Sequence, residues 1–223
     1  MNTLAELPLK NISDNYVVEH QEELSGAYAK ILAFLRIFLG GDSVAAEYLL
    51  LSLVSRIYRR EGGLTIGALN INLNGVSPEQ AALICEFVQA VTPLVCRFDA
   101  TIQSLSEQRF MPTKNHDTNK MEEGYMGTLI NNTVFMFDET RLEPGKLINH
   151  GVPNIAAMAT LVEMQTFVRD FGFGCQSEMP IDVPVIVLSS ARSIVKNTIH
   201  VPVEIEGEGP TDVEIAAART KLD

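Results

Sequence analysis

The chain has 223 residues, 46% of them apolar and 20% charged, which suits one large folded domain with short appendages and excludes a disordered protein. Its 17 Lys and Arg stand against 28 Asp and Glu, for a formal net charge of −11. An acidic chain repels phosphate backbones at long range, which argues against non-specific binding to nucleic acid or anionic membranes.

Met1 to Lys10 is polar and of mixed charge, without the apolar region of a signal peptide. The stretch from about Glu23 to Leu39 reads as a helix stopped by Gly40-Gly41. Its most apolar part, Ala27 to Leu39, contains Lys30 and Arg36 and is too short to span a bilayer. Asp42 or Ser43 can cap a second helix, VAAEYLLLSLVSRIYRR, ending before Gly62-Gly63. There Arg56, Arg59 and Arg60 would complement the helix dipole, with a partner-facing patch as the alternative. Both helices are apolar over much of their girth and are expected to pack into a core.

LTIGALNINLNG alternates Leu69, Ile71 and Leu73 with Asn70 and Asn72, a strand period. Ser77-Pro78-Glu79-Gln80 then supplies an N-cap, a proline at the first helical position and a capping-box partner for AALICEFVQAVT. RFDATIQSL reads as a second strand, and the polar stretch Ser106 to Glu123 as a long exposed loop. TVFMF is a continuous apolar run of the buried parallel type, closed by Asp138-Glu139-Thr140. A short helix, about Ile155 to Glu163, precedes a hairpin at TFVRDFGFG. VPVIVLSS and IHVPVEIEG read as the last strands. GPTDVEIAAARTKL opens a helix with a Thr211–Glu214 capping box and ends with the chain, as in a shortened protein or part of a longer one. Strands interleaved with helices predict an α/β fold with a mainly parallel sheet covered on both faces.

Cys85, Cys96 and Cys175 form no CxxC and read as buried or neutral thiols in a reducing compartment, so the class is soluble and intracellular. The sequons at Asn11 and Asn131 are then chance matches. His20, His116, His150 and His200 show no metal-ligand spacing, and Ser189-Ser190 sits in no nucleophile elbow. Gly40-Gly41-Asp42 follows a helix instead of a strand and reads as an interhelix turn, and Phe135 to Phe137 as core instead of a nucleic-acid platform.

The strongest chemical pattern is Phe135-Met136-Phe137-Asp138-Glu139. An apolar strand ending in Asp-Glu has the form of a Walker B motif, in which Asp holds Mg²⁺-bound water and Glu polarises the attacking water. The bland alternative is an acidic turn after a buried strand. A nucleotide also needs a cradle of backbone N–H groups and a lysine, and the chain has no GxxxxGK[ST]. Where that loop would sit, from Asn74 to Ala82, only Gly75 remains. Pro78 lacks an N–H, Glu79 repels phosphate, and Ala81 and Ala82 stand where Lys and Ser/Thr are needed.

LGGDSVAAEYLLLSLVSRIYRR, NINLNG, FDATIQSL, FMPTKNHDTNKM and FMFDETRLEPGKLINHGVPNIAAMATLVEMQTFVRDF resemble the mini-chromosome maintenance (MCM) complex-binding protein family, over roughly residues 20 to 205. The most specific block is Asp138-Glu139-Thr140 with Leu142, Gly145, Leu147, Gly151-Val152, Asn154 and Gln165. The resemblance implies a three-layer AAA+-like, P-loop NTPase-like α/β domain with a degenerate nucleotide site. LNGVSPEQAALICEFVQAVTP parallels the helicase strand, P-loop and helix, and VIVLSS its sensor strand without the terminal Asn. It divides the chain into an N-terminal lead-in (1–20), a helical hairpin on the core (21–63), the AAA+-like core (64–206) and the start of a C-terminal helix (207–223). Implied too are MCM helicase subunits as protein partners, roles in MCM assembly, chromatin unloading, replication and cohesion, and a location in the nucleus with or without a cytoplasmic pool. No catalysis, cofactor, metal, nucleic acid or membrane is expected. The rival expectations are a residual ATP-binding protein using Asp138 and Glu139, and a self-associating scaffold.

Overall fold

The computed structural model describes residues 16–197, 199–204 and 211–222. The lead-in is therefore mostly outside the described residues, as is the sequon at Asn11. Helix α1 (Gln21–Phe38) ends where Gly40 and Gly41 take positive φ of 71° and 95° and the Gly41 N–H reaches back to the Arg36 carbonyl. Helix α2 (Ser43–Val54) is capped by Asp42, whose side chain accepts from the N–H groups of Val44 and Ala45. No single described helix is long and apolar enough to cross a membrane.

The second helix is shorter than its sequence predicts. RIYRR leaves it: Arg59–Glu61 (β1) pairs antiparallel with Leu64–Ile66 (β2). Gly62 and Gly63, at φ of 57° and 82°, form the two-residue hairpin turn that only such backbone permits, and not a helix stop. Arg56 keeps a terminal role, donating to the carbonyls of Leu53 and Ser55, whereas Arg60 reaches the carbonyls of Met164, Gln165 and Ile181. Nor is α2 wholly buried. Ala45, Ala46, Leu49 and Leu53 face the core, and Val44, Tyr48, Leu51 and Val54 form an exposed stripe at helical spacing.

The sequence then runs Ile71–Asn74 (β3), Pro78–Val91 (α3), Val95–Asp99 (β4), Ile102–Glu107 (α4), Thr113–Asn115 (β5), Lys120–Glu122 (β6), Val134–Asp138 (β7), Gly151–Met164 (α5), Thr166–Asp170 (β8), Gln176–Pro180 (β9), Val185–Ser189 (β10), Ile199–Pro202 (β11) and Asp212–Leu222 (α6). The strand expected from Leu64 onward is thus two strands, since Leu64–Ile66 belongs to the hairpin. The expected strand RFDATIQSL divides as well: Thr101, joined to Ser104 in a capping box, opens a helix at Ile102.

A five-stranded, all-parallel sheet is ordered β11-β3-β10-β7-β4; numbered in chain order, its strands lie 5-1-4-3-2. A second, four-stranded sheet is ordered β6-β5-β8-β9. It contains the expected hairpin at TFVRDFGFG, whose second strand is Gln176–Pro180. It also overturns the expectation of a long exposed loop from Ser106 to Glu123. Phe110 is fully buried in edge-on contact with Phe98, and β5 and β6 pair around an Asn115-centred turn.

Strand alternation divides the core into two clusters. Ile71, Leu73, Val134, Met136, Ile186 and Leu188 meet α1, α2 and α3 on one side. Phe98, Phe135, Phe137, Val185 and Val187 meet Met158 and Leu161 of α5 on the other. Both β7 and β10 are buried along their whole length, as their continuous apolar runs predict. Cys85 is buried, Cys96 half-buried and Cys175 exposed, so the thiols are not uniformly interior.

Candidate functional site

The two halves of the nucleotide-site pattern emerge at the carboxyl edge of the parallel sheet. Ser189 of β10 pairs with Asn74, and Leu188 with Asp138, so one strand separates the turn after β3 from the acidic end of β7.

In the turn, Gly75 takes φ of 84° and the Val76 N–H donates to the Ser189 carbonyl at 3.1 Å. The Ser77 N–H is held by the Gln80 side chain and the Gln80 N–H by the Ser77 hydroxyl, which completes the predicted capping box. Ala81, fully buried, donates its N–H to the Ser77 carbonyl, and Ala82 is exposed. The N–H groups of 76, 77, 80 and 81 thus have internal partners, whereas a phosphate cradle leaves such groups pointing at the ligand. Glu79 places a carboxylate at the helix N-terminus, where its own backbone N–H and then Ser77 hold it below the ordinary carboxylate range. A negative charge at this helix end repels a second anion.

At the acidic end, Asp138 is 3% exposed. Its Oδ2 accepts from the Arg97 guanidinium at 2.8 Å, and its Oδ1 from the Thr140 N–H at 3.0 Å and hydroxyl at 2.6 Å. Arg97 also holds Asp99 at 2.7 Å. The register sets Arg97 one residue before the level of Phe137, on the strand beside β7, which puts its fork within reach of Asp138. Glu139, 4% exposed, accepts from the Ser193 hydroxyl at 3.0 Å and the Ile194 N–H at 3.1 Å. Both carboxylates are thereby engaged by the protein itself.

Burial pushes the Glu139 carboxyl up to about 7, against the lowering effect of the Ile194 and Ser193 hydrogen bonds. Its folded pKa lies above the ordinary 4.5, so its contribution to stability is full below about 4.5 and is lost as pH rises through 7. That loss is of the order of ~3 kcal/mol. Glu139→Gln is expected to flatten the decline in unfolding free energy between pH 5 and 8, measured by urea titration at each pH. An undiminished decline would assign it to another group.

A family profile described as mini-chromosome maintenance replisome factor matches residues 2–222. The chain belongs to this family. The mini-chromosome maintenance complex-binding protein of Gallus gallus is 34% identical over 195 residues, covering 86% of this chain and 30% of the relative. The protein of that name from Homo sapiens is 35% identical over 182 residues, 80% of this chain and 28% of the relative. The one from Arabidopsis thaliana is 29% identical over 167 residues, 73% and 28% respectively. The chain thus spans about 30% of the length of these relatives.

The block from Asp138 to Gln165 has physical reasons for most of its residue types. Asn154, 1% exposed, donates to the carbonyls of Leu105 and Gln108 and accepts from the Phe110 N–H. Gln165, fully buried at φ of 52°, donates to the Leu161 and Val183 carbonyls and accepts from the Val183 N–H. A Cβ on Gly151 would lie 2.6 Å from the Leu147 side chain, and one on Gly145 3.1 Å from Ile102. Leu142 and Leu147 pack on the second cluster. Val152, by contrast, is 68% exposed, and its residue type has no structural explanation. Arg97 carried no sequence signal as the partner of Asp138; only the strand order brings them together.

Proposed function

We propose that this chain is a non-catalytic, AAA+-like module that binds MCM helicase subunits, within a replication factor that regulates MCM assembly or its unloading from chromatin. The observation that carries the binding half is family membership, with relatives named for binding the MCM complex. The non-catalytic half is supported by the Val76 N–H committed to Ser189 and by Asp138 and Glu139 committed to Arg97, Thr140, Ser193 and Ile194. The parallel sheet, with a turn and capped helix after its interior first strand and the acidic pair on its third, supports the AAA+-like reading. The exposed stripe Val44, Tyr48, Leu51 and Val54 offers apolar area of the kind that partners cover. A nuclear location and a role in cohesion follow as parts of the same proposal.

The test is co-purification of the chain with each MCM subunit in turn, with and without ATP. Enrichment of at least one subunit over an unrelated acidic protein, indifferent to ATP on this chain's side, is expected. Absence of enrichment for every subunit would overturn the binding reading. A fluorescent ATP analogue with Mg²⁺ is expected to show no Asp138-dependent saturation up to ~1 mM, which is binding at that carboxylate weaker than about 4 kcal/mol. Saturation abolished by Asp138→Asn would instead establish a working nucleotide site.

A further inference from the structure

On the α5 side of the parallel sheet, helical coverage stops halfway. Phe135, Phe137, Val185 and Val187 of β7 and β10 belong to the cluster that includes α5. Further out, Ile71 and Leu73 of β3 and Val201 of β11 face the opposite cluster, so alternation turns Asn72, Asn74 and His200 toward the α5 side. A crossover between parallel strands ordinarily takes a dozen or more residues and brings a helix with it. Here β10 and β11 are joined by nine residues, 190–198, and none of 190–197 is helical. Over Asn72, Asn74 and His200 lies a cavity of about 500 Å³, walled on its other side by residues 192–196.

The lining mixes polar and apolar groups, and its charged side chains are positive. Arg192, Lys196 and His200 contribute to it and no carboxylate does, in a chain of formal charge −11. A hydrogen-bonded chain runs from Ser189 through buried Asn72 to His200. The Ser189 hydroxyl donates to Asn72 Oδ1 at 2.9 Å, which orients the amide so that Nδ2 donates to His200 Nδ1 at 3.2 Å. With Nδ1 engaged by Asn72, Nε2 is the ring nitrogen left for another partner. Asn72 is 1% exposed, which leaves this orientation to the protein and not to water. The Lys196 ammonium lies 3.4 Å from Glu163 on a side chain 85% exposed, a pairing weak enough to yield to a better anion.

We propose that this cavity binds a small phosphate-bearing anion, held by Arg192, Lys196 and Nε2 of His200. The proposal does not depend on the MCM reading; the cavity shares Asn74 with the start of the Asn74–Ala82 turn, and Ser193 and Ile194 with the hold on Glu139, but its charged groups, Arg192, Lys196 and His200, belong to neither. Guanidinium and ammonium groups favour phosphate through charge-assisted hydrogen bonds, and the Asn72 and Asn74 amides supply further polar contacts.

The test is titration of the ¹⁵N-labelled chain with inorganic phosphate, pyrophosphate and a phosphoserine tripeptide, ionic strength held constant with chloride. Saturable shifts confined to the amides of 192–196 and the His200 ring are expected. Arg192→Ala and Lys196→Ala, both on exposed side chains, are each expected to weaken binding roughly 3- to 10-fold. Circular dichroism melts confirm that the variants are folded. Tighter binding of pyrophosphate identifies a free anion as the source, and tighter binding of the peptide a phosphorylated side chain. Shifts that do not saturate, that chloride reproduces, or that survive unchanged in both variants would overturn the site.

Discussion

Arg97→Met is expected to lower the unfolding free energy by ~3 kcal/mol, because it leaves a buried carboxylate without its counter-charge. Asp138 is 3% exposed and receives one charged donor, Arg97, beside the two neutral donors of Thr140. For a chain of this length the loss corresponds to a melting temperature lower by ~6–12 °C, read by calorimetry at pH 7. The double variant Arg97→Met, Asp138→Leu is expected to recover most of it, since replacing a buried ion pair by apolar groups of similar volume is often neutral. A single variant as stable as the parent would mean that water reaches the carboxylate past the Arg97 side chain, which is 27% exposed. The pair would then be no buried lock. The same double variant bears on the proposed function: if Asp138 persists for structure alone, the proposed capture of MCM subunits is expected to survive its removal.

Asn154→Ala is expected to cost ~3–5 kcal/mol, the summed penalty of stranding two buried backbone groups and one part-buried carbonyl. The Leu105 and Gln108 carbonyls and the Phe110 N–H all take their partner from this one amide, at 2.6 to 3.0 Å. They form the chain's entry into the Phe110 pocket, and Asn154 pins that entry to the first turn of α5. Asn154→Asp tests the direction of the bonds. It keeps the acceptor for Phe110 N–H but replaces the donors to both carbonyls by a repelling charge, so it is expected to be no milder than Ala. Chemical denaturation reads both, and costs below ~1 kcal/mol would show that the loop rearranges to solvate itself.

Much of this architecture was written in local signals. Ser77-Pro78-Glu79-Gln80 forms its capping box because the donors and acceptors lie within three residues. The runs at Val134–Asp138 and Val185–Ser189 read as buried parallel strands because burial on both faces leaves no room for alternation. Where reading failed, a non-local partner or an ambiguous signal decided. Gly62-Gly63 punctuates helices and hairpins equally well, and Arg60 settles the matter by capturing carbonyls more than 100 residues away. Polar residues around Phe110 mask a hairpin that needs β8 beside it to exist as part of a sheet.

The sequence by itself determined the α/β class, the capped helices, the buried strands and the absence of phosphate-loop residues between Asn74 and Ala82. Its resemblance also indicated the family to which the chain belongs. Only the tertiary structure decided what Asp138 and Glu139 are engaged with. Thr140 is a neighbour in the chain, but the charged partner Arg97 and the Ser193–Ile194 segment lie about 40 and 55 residues away and reach the carboxylates only through the fold. Caps and burial periods are properties of neighbours along the chain, whereas the occupancy of a buried carboxylate is a property of neighbours across the sheet.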